Sequence, residues 1–238
     1  MQYIPIFTGV HGMATLILKE IPVSGYSYVL VRSVWKDNLP GLLAEAAAFC
    51  REAGAKEVFA SYECYDLPAR HVHDVLEFTM DARRLPEVAP VPLTPISKEN
   101  GRDYLAVYNR CFARMPGHAS YDEKDLARLL EQGGAFLVYR GGTPAAVVEL
   151  GENSLEGIGV LPEYKGLGYP LAVTALKRLP GETLFLKVAS TNHRAIRLYQ
   201  RIGFAETKVV SRWWSLYGRP RWPPECLPLR GGGIGVSR

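Results

Sequence analysis

The chain lacks the stretch of about 20 apolar residues that a membrane-spanning helix requires. Its first residues, Met-Gln-Tyr-Ile-Pro, also lack the basic start and apolar run of a secretory signal. Cysteine is scarce, with four residues in 238, and none of them has the spacing of metal ligands or of a disulfide framework. These absences favour a cytoplasmic protein with reduced thiols, no membrane contact and no bound metal.

A strong charge of either sign is also missing. The formal net charge is +4, and most of it lies in residues 218–238, where four arginines accompany a single glutamate. The rest of the chain is nearly neutral, which argues against a general nucleic-acid surface. The 47% hydrophobic content is ample for the core of one large or two small domains.

The most informative segment present is a short apolar strand that runs into a glycine loop and then into a helix. Residues 156–170 read Glu-Gly-Ile-Gly-Val-Leu-Pro-Glu-Tyr-Lys-Gly-Leu-Gly-Tyr-Pro. Gly166 and Gly168 permit positive φ angles and a close approach of the main chain to a bulky anion. The N-terminus of the following helix favours phosphate through its free N–H groups and its dipole. The segment predicts a phosphate-binding loop, and an ordinary turn is the alternative interpretation.

A second segment lies about twenty residues downstream, at residues 192–204, and reads Asn-His-Arg-Ala-Ile-Arg-Leu-Tyr-Gln-Arg-Ile-Gly-Phe. Together the two segments resemble the signature of the GNAT (Gcn5-related N-acetyltransferase) family over roughly residues 93–217. The second motif matches at every specified position. In the first, Val160, Pro162, Lys165, Gly166 and Gly168 match, whereas Pro170 replaces a small residue and removes one N–H donor.

The resemblance implies an α/β fold, with a GNAT domain in the C-terminal part of the chain, and acetyl-CoA as co-substrate. The backbone of residues 158–160 would pair with the pantetheine arm, and the loop would wrap the pyrophosphate. The residues implied in coenzyme binding are Ile158, Gly159, Val160, Lys165, Gly166, Leu167, Gly168, Tyr169, Pro170, Asn192 and Ala195.

The same resemblance makes Tyr199 the candidate acid that protonates the coenzyme sulfur, and a core tyrosine is the alternative. Glu156 is the first candidate for the base that takes the ammonium proton, ahead of Glu152 and Glu149, although a solvated surface glutamate is the simpler interpretation. Arg194 and Arg197 share another helix face. They would meet the 3′-phosphate of the coenzyme or simply form a solvated stripe.

The N-terminal part resembles the C-terminal part when the two are aligned at a constant offset, a weak internal repeat that we call the echo. An offset of 126 residues places Val34 on Val160, Phe59 on Phe185 and Phe78 on Phe204. It predicts a strand at 27–35, a helix at 40–53, a strand at 57–63 and a helix at 69–78. Pro40 and Leu42 replace the loop glycines, so this part is interpreted as a smaller, truncated and degenerate GNAT-like lobe without a phosphate site.

The predicted domains are therefore a degenerate lobe at 1–84, a proline-rich linker at 85–95, a catalytic domain at 96–217 and a flexible basic tail at 218–238. Within the catalytic domain, helices are expected at 98–112 and 121–131, followed by strands at 135–140 and 145–151 joined by Gly141-Gly142. His71 and His73 would diverge on the predicted helix, which disfavours a metal pair.

The sequence thus predicts an acetyl-CoA-dependent N-acetyltransferase that acts on a primary amine of a small molecule or peptide by direct attack. Two other classes stay open: a non-catalytic acyl-CoA-binding or regulatory protein, and an RNA or protein interaction module that uses the arginine-rich tail. The acceptor and the oligomeric state are not determined, with a homodimer among the alternatives.

Overall fold

A computed structural model describes residues 5–63, 65–112 and 120–216, and the predicted tail at 218–238 lies outside these residues. The described chain divides into two compact units. One contains residues 5–72 and 212–216, and the other contains residues 73–211. The units do not follow the domain boundaries proposed from the sequence, since residues 73–84 belong to the second unit and residues 212–216 to the first.

The first unit begins with a hairpin of β1 (Ile6–Gly9) and β2 (Gly12–Ile17), which the sequence did not predict. A single helical turn, α1 (Ile21–Ser24), leads into β3 (Tyr26–Val34), α2 (Leu39–Glu52) and β4 (Glu57–Ser61). β2 pairs antiparallel with β3, and β3 pairs parallel with β4. The strand, helix and strand expected in this region are confirmed, and α2 covers them with an apolar face that includes Leu42, Leu43 and Ala46.

Residues 70–81 form a strand, β5 (Arg70–Asp81), so the helix predicted at 69–78 is wrong. Leu76, Phe78 and Met80 are buried while the residues between them are not, which is the period-two pattern of a strand. From Val75 to Asp81 the strand pairs antiparallel with a strand of the second unit. The echo therefore holds through β4 and fails beyond it, because the residues that it aligns with the helix at 193–202 form a strand instead.

The second unit continues after β5 with a short 3₁₀ turn (Ala82–Arg84) and an extended segment that ends in β6 (Thr94–Pro95). Two helices follow, α3 (Gly101–Phe112) and α4 (Glu123–Gln132). Three antiparallel strands come next: β7 (Ala135–Arg140), β8 (Thr143–Leu150) and β9 (Ser154–Val160). The expected hairpin turn is confirmed, with φ angles of 57° at Gly141 and 80° at Gly142.

After a 3₁₀ turn (Pro162–Tyr164), the second unit ends with α5 (Gly168–Leu176), β10 (Thr183–Ala189), α6 (His193–Ile202) and β11 (Ala205–Ser215). The last residues of β11, Trp214 and Ser215, pair with β4 and belong to the first unit. No helix among the described residues is long and apolar enough to cross a membrane.

Alternation along β8 divides the core of the second unit into two layers. Val148 packs in a cluster with residues of α5 and α6 such as Leu171 and Tyr199. Val147 packs in a separate cluster with Tyr108 and Phe112 of α3. The strands β8 and β9 therefore have one helix pair on each face, which positions both faces of the candidate site.

Candidate functional site

The strands β9 and β10 are paired only where β9 begins. Their parallel pairs are Ser154 with Phe185 and Leu155 with Leu186. Beyond Leu155, β9 pairs with β8 alone, while β10 continues along β5. Within the described part of the chain, the β10-facing edge of residues 157–160 thus has no strand partner, and an extended ligand could occupy that edge.

A β-bulge lies at the point where the strands part. Glu149 pairs with Gly157 while Leu150 pairs with Leu155, so Glu156 is the extra residue of β9. Bulges bend a strand and increase its local twist. The bend therefore coincides with the end of the β9–β10 pairing.

The glycine loop follows the open edge directly. Gly166 has a φ of 91°, so it uses the positive φ that glycine permits. Gly168 does not use it, because it is the first residue of α5 and is helical. A side chain added at Gly168 would meet only Leu198, at 3.9 Å. Gly168 therefore leaves the first turn of α5 accessible without any need for an unusual backbone conformation.

Several backbone N–H groups of this loop have no acceptor in the part of the chain that the structure describes. The first turn of α5 has no side-chain cap, and the N–H of Leu167 donates to the carbonyl of Tyr164 at 3.3 Å. Within the described residues, no hydrogen bond is formed by the backbone N–H groups of Lys165, Gly166, Gly168 and Tyr169. Pro170 has no N–H to offer. The loop is therefore a set of unfilled donors at a helix N-terminus, suited to a phosphate.

The equivalent helix of the first unit is closed to such a ligand. The N-terminal turn of α2 is capped by Asn38, whose side chain accepts from the N–H of Gly41 at 2.9 Å. The Asn38 amide also contacts His11, and a side chain at Gly41 would lie 2.4 Å from the His11 ring. At the start of α2, side chains of the first unit thus occupy the space that is open at the corresponding start of α5.

Gly159 is required by the packing of α3 on β9. A Cβ atom at this position would lie 2.7 Å from Cβ of Cys111 and 3.1 Å from Phe112. Both neighbours belong to α3, so the missing side chain lets α3 lie directly on β9. The expected pairing of the Gly159 backbone with the coenzyme involves the strand edge instead and stays a prediction. The neighbouring Ile158 and Val160 pack toward the α5 layer.

Helix α6 lies against the start of α5. The guanidinium of Arg201 lies 4.5 Å from the centre of the Tyr169 ring, and Leu198 is the neighbour nearest to Gly168. Asn192 caps α6, accepting from the N–H of Ala195 at 3.2 Å, so both residues have a structural role at the helix start. Arg194 and Arg197 are exposed.

Tyr199 is buried, with 7% of its surface exposed, and its ring meets Phe204 edge-on at 6.2 Å. Burial raises the pKa of its hydroxyl to about 12. The phenol is therefore protonated at ordinary pH. A proton donor requires this state, but an ordinary core tyrosine has it too.

Two glutamates at the opening have different environments. Glu156 is exposed, accepts a hydrogen bond from Ser154, and lines a cleft of about 360 Å³. None of the residues that line this cleft belongs to the glycine loop: Glu77, Glu152, Asn153, Ser154, Leu155, Glu156, Phe185, Leu186 and Lys187. Glu149 is more buried, and burial raises the pKa of its carboxyl group.

A tyrosine cluster around Glu149 was not identified from the sequence. The hydroxyl of Tyr104 donates to Oε1 of Glu149, and that of Tyr121 donates to Oε2 at 3.1 Å. Tyr108 stacks on Tyr121 with ring centres 3.8 Å apart. Their spacing at 104, 108 and 121 follows the apolar positions of α3 and the start of α4, so the sequence pattern resembles an ordinary core.

The two histidines do not diverge as expected for a helix. Residues 71 and 73 lie on a strand, where side chains two residues apart point to the same side. His71 packs against Trp214, with ring centres 5.0 Å apart, whereas His73 is buried. Over the described ranges, no group of three or more potential ligands could hold a metal ion.

Comparison with known proteins finds a family model that matches one segment of the chain. Residues 100–204 match the model of the acetyltransferase (GNAT) family. No curated protein sequence matches the chain.

Solved structures resemble nearly the whole chain. A conserved protein of unknown function from Staphylococcus epidermidis superposes with a TM-score of 0.57 at 16% identity, covering 90% of this chain and 94% of that one. A GCN5-related N-acetyltransferase from Kribbella flavida gives 0.52 at 17% identity, covering 88% of each chain. A tandem GNAT protein from the clavulanic acid biosynthesis pathway gives 0.53 at 16% identity, covering 86% of this chain and 78% of that one. At these identities the likeness shows the fold.

Proposed function

The chain carries a domain of the acetyltransferase (GNAT) family at residues 100–204, and from this we propose that it transfers an acetyl group from acetyl-CoA to a primary amine. The observation that carries the proposal is the continuity of two features. An edge of β9 without a strand partner leads directly into a loop of N–H donors without acceptors.

Acetyl-CoA has a shape that matches this continuity. Its pyrophosphate would lie on the donors at Lys165, Gly166, Gly168 and Tyr169, where the α5 dipole favours negative charge. Its pantetheine arm would follow β9 back from the loop and use the edge of residues 158–160 as a strand partner. The thioester would then reach the bulge at Glu156, where the two strands part.

Acetyl transfer to an amine requires a fixed thioester, a neutral nitrogen and a proton for the departing thiolate. We assign the proton donor to Tyr199, because it holds the matched motif position on α6 and its hydroxyl keeps its proton. Glu156 and Glu149 both lie at the bulge, and either carboxylate could take the ammonium proton. No covalent enzyme intermediate is needed.

A second candidate function is binding of an acyl-CoA without chemistry. Pro170 favours it, because one donor that a helix N-terminus normally supplies is missing from the cradle. The observation that favours the enzyme is the complete match of the motif around Tyr199. Mass spectrometry of the coenzyme that co-purifies with the protein, followed by a thiol-release assay over a panel of amines, separates the two.

Gly168→Asp tests the coenzyme site. An aspartate in the first turn suits the dipole of α5, so the fold should persist, while the added carboxylate repels the pyrophosphate. We expect acetyl-CoA affinity to fall by on the order of 100-fold or more in calorimetry. Thr143→Asp, which adds the same charge at an exposed hairpin position, should bind like the unaltered protein.

Gly168→Ala separates charge from bulk, since the nearest atom to the added methyl group would be 3.9 Å away. It should retain most of the affinity. If Gly168→Asp binds acetyl-CoA as tightly as the unaltered protein, or if two molecules bind per chain, the assigned site is wrong.

A further inference from the structure

Glu149 is a half-buried carboxylate whose position relative to the strand opening is fixed by the sheet register. It pairs across β8 and β9 with Gly157, one residue after the bulge at which β9 leaves β10. A Cβ atom placed on Gly157 would lie 3.9 Å from Oε2 of Glu149. Gly157 has no side chain, so it does not separate the Glu149 carboxylate from the open edge of β9.

Both oxygens of this carboxylate are oriented by tyrosines, one within α3 and one just before α4. Tyr104 of α3 donates to Oε1, and Tyr121 at the start of α4 donates to Oε2. A carboxylate offers about four acceptor positions, so the two hydroxyl groups leave room for further donors on each oxygen. An ammonium group has three N–H donors and a compact positive charge, which suits these remaining positions.

We propose that the Glu149 carboxylate binds the ammonium group of the acceptor above Gly157 and takes its proton, while Tyr104 and Tyr121 position that carboxylate. This inference rests on the proposed acetyl transfer and names the group that recognises the amine. Glu156 fits the role less well, because its carboxylate is exposed and is held by the neighbouring Ser154.

The proton balance of the step is complete. Glu149 takes one proton from the ammonium group, and the neutral nitrogen attacks the thioester carbon. The C–N bond forms, the C–S bond breaks, and the sulfur leaves with the proton of Tyr199. The second nitrogen proton returns to Tyr199 through water, and Glu149 releases its own proton to solvent. The products are an N-acetylated amine, free coenzyme A and one proton.

The electrostatic surroundings predict how the step depends on pH. Burial raises the pKa of Glu149 above its ordinary value, although the tyrosine hydroxyls and Arg128 oppose the shift. Since the base must be ionised, kcat/KM should rise with pH through that raised pKa. The titratable groups that face Glu149 from the neighbouring elements are Tyr104 and Tyr108 of α3, Tyr121 and Arg128 at and within α4, and Glu156 of β9.

Kinetics of Glu149→Gln provide the first test, with the best amine of a panel of n-butylamine, spermidine and a lysine-containing peptide. We expect kcat/KM to fall by on the order of 100-fold and the acid limb of the pH profile to disappear. Acetyl-CoA affinity should stay unchanged, which shows that the variant is folded. Glu131→Gln makes the same change at an exposed position of α4 and should retain both the rate and the acid limb of the pH profile.

Gly157→Ala is the second variant. Its methyl group fits, with the nearest atom 3.8 Å away at Cβ of Glu149, yet it would cover the space above the carboxylate. We expect KM for the amine to rise more than kcat falls. A purely structural role for Glu149, as an anchor for α3 and α4, predicts altered thermal stability with the same KM and the same pH profile, and that result overturns the proposal.

A binding measurement does not depend on turnover. In protein labelled with ¹³C at the glutamate carboxyl groups, the Glu149 signal is identified by its absence in Glu149→Gln. It should shift saturably when n-butylamine is added to the coenzyme A complex. The role of Glu149 is refuted if that shift is absent. It is also refuted if the acid limb of the pH profile disappears in Glu156→Gln and persists in Glu149→Gln. If the unaltered protein does not bind the coenzyme, the proposed function itself is refuted.

Discussion

At the scale of single residues, the proposed role of Tyr199 as a proton donor depends on the retention of its proton. Its ring is buried against Phe204, and the pKa of the hydroxyl is raised to about 12 by that burial. A donor to a departing thiolate must be protonated when the C–S bond breaks. Tyr199 satisfies this condition across the ordinary pH range, so its ionisation should not limit the rate until the pH approaches 12.

Tyr199→Phe should bind acetyl-CoA nearly as well as the unaltered protein but lose on the order of 100-fold in turnover, since only the hydroxyl is removed. Thermal stability should change little, because phenylalanine keeps the ring. Steady-state kinetics under conditions where chemistry limits the rate provide the measurement. Tyr139→Phe removes a hydroxyl elsewhere in the second unit and serves as the control. Equal turnover of Tyr199→Phe and the unaltered protein would make Tyr199 a core residue.

At the scale of elements, the placement of α3 on β9 depends on a glycine that sequence reasoning assigned to the ligand. Gly159 lies beneath Cys111 and Phe112, and the helix touches the strand backbone there. Gly157, two residues earlier on the same face, has ordinary van der Waals distances to its neighbours. The two glycines therefore have different roles despite their identical pattern in the sequence.

Gly159→Ala should destabilise the protein by roughly 1–3 kcal/mol, because its Cβ would lie 2.7 Å from Cβ of Cys111, an atom close to the helix backbone that cannot rotate away. Gly157→Ala is the matched control and should cost much less. Urea unfolding monitored by circular dichroism measures both. If the two substitutions prove equally mild, α3 does not rest on β9 as closely as described.

At the scale of the whole molecule, the two compact units do not divide the chain at the proline-rich segment. Residues 73–81 precede the proline-rich segment yet form a strand of the second unit, where they pair with β10. Phe78 is completely buried there, in the same cluster as Leu184 and Leu186 of β10. A fragment cut at the boundaries suggested by the sequence would lose this strand.

We therefore expect residues 96–217, expressed alone, to aggregate or to lack cooperative unfolding, since one edge of β10 and the apolar cluster beneath it become exposed. Residues 73–211 keep β5 and should unfold cooperatively. Size-exclusion chromatography and thermal melting compare the two fragments with the intact chain. A monomeric, cooperatively folded 96–217 fragment would show that β5 is dispensable for the second unit.

The sequence by itself determined the GNAT-family match of residues 100–204, the fold class and the order of most elements, because these follow from local patterns. The loop at Gly166, the motif around Tyr199 and the hairpin at Gly141-Gly142 each depend on residues close together in the chain. The helices α2, α3 and α4 likewise follow from apolar spacing and capping within one segment. Such features need no knowledge of distant contacts.

Tertiary structure alone decided where distant segments meet. In β5, residues 76–81 alternate between apolar and polar in the sequence itself, which indicates a strand, but Val72 and Leu76 also have helical spacing, and the pairing with β10 decides between the two patterns. The Glu149 cluster joins residues from β8, α3 and the start of α4, whose separation along the chain conceals their contact. Gly159 required the position of α3 to be known. For the Glu149 cluster and for Gly159 the deciding interaction is non-local, so no pattern within one segment could specify it.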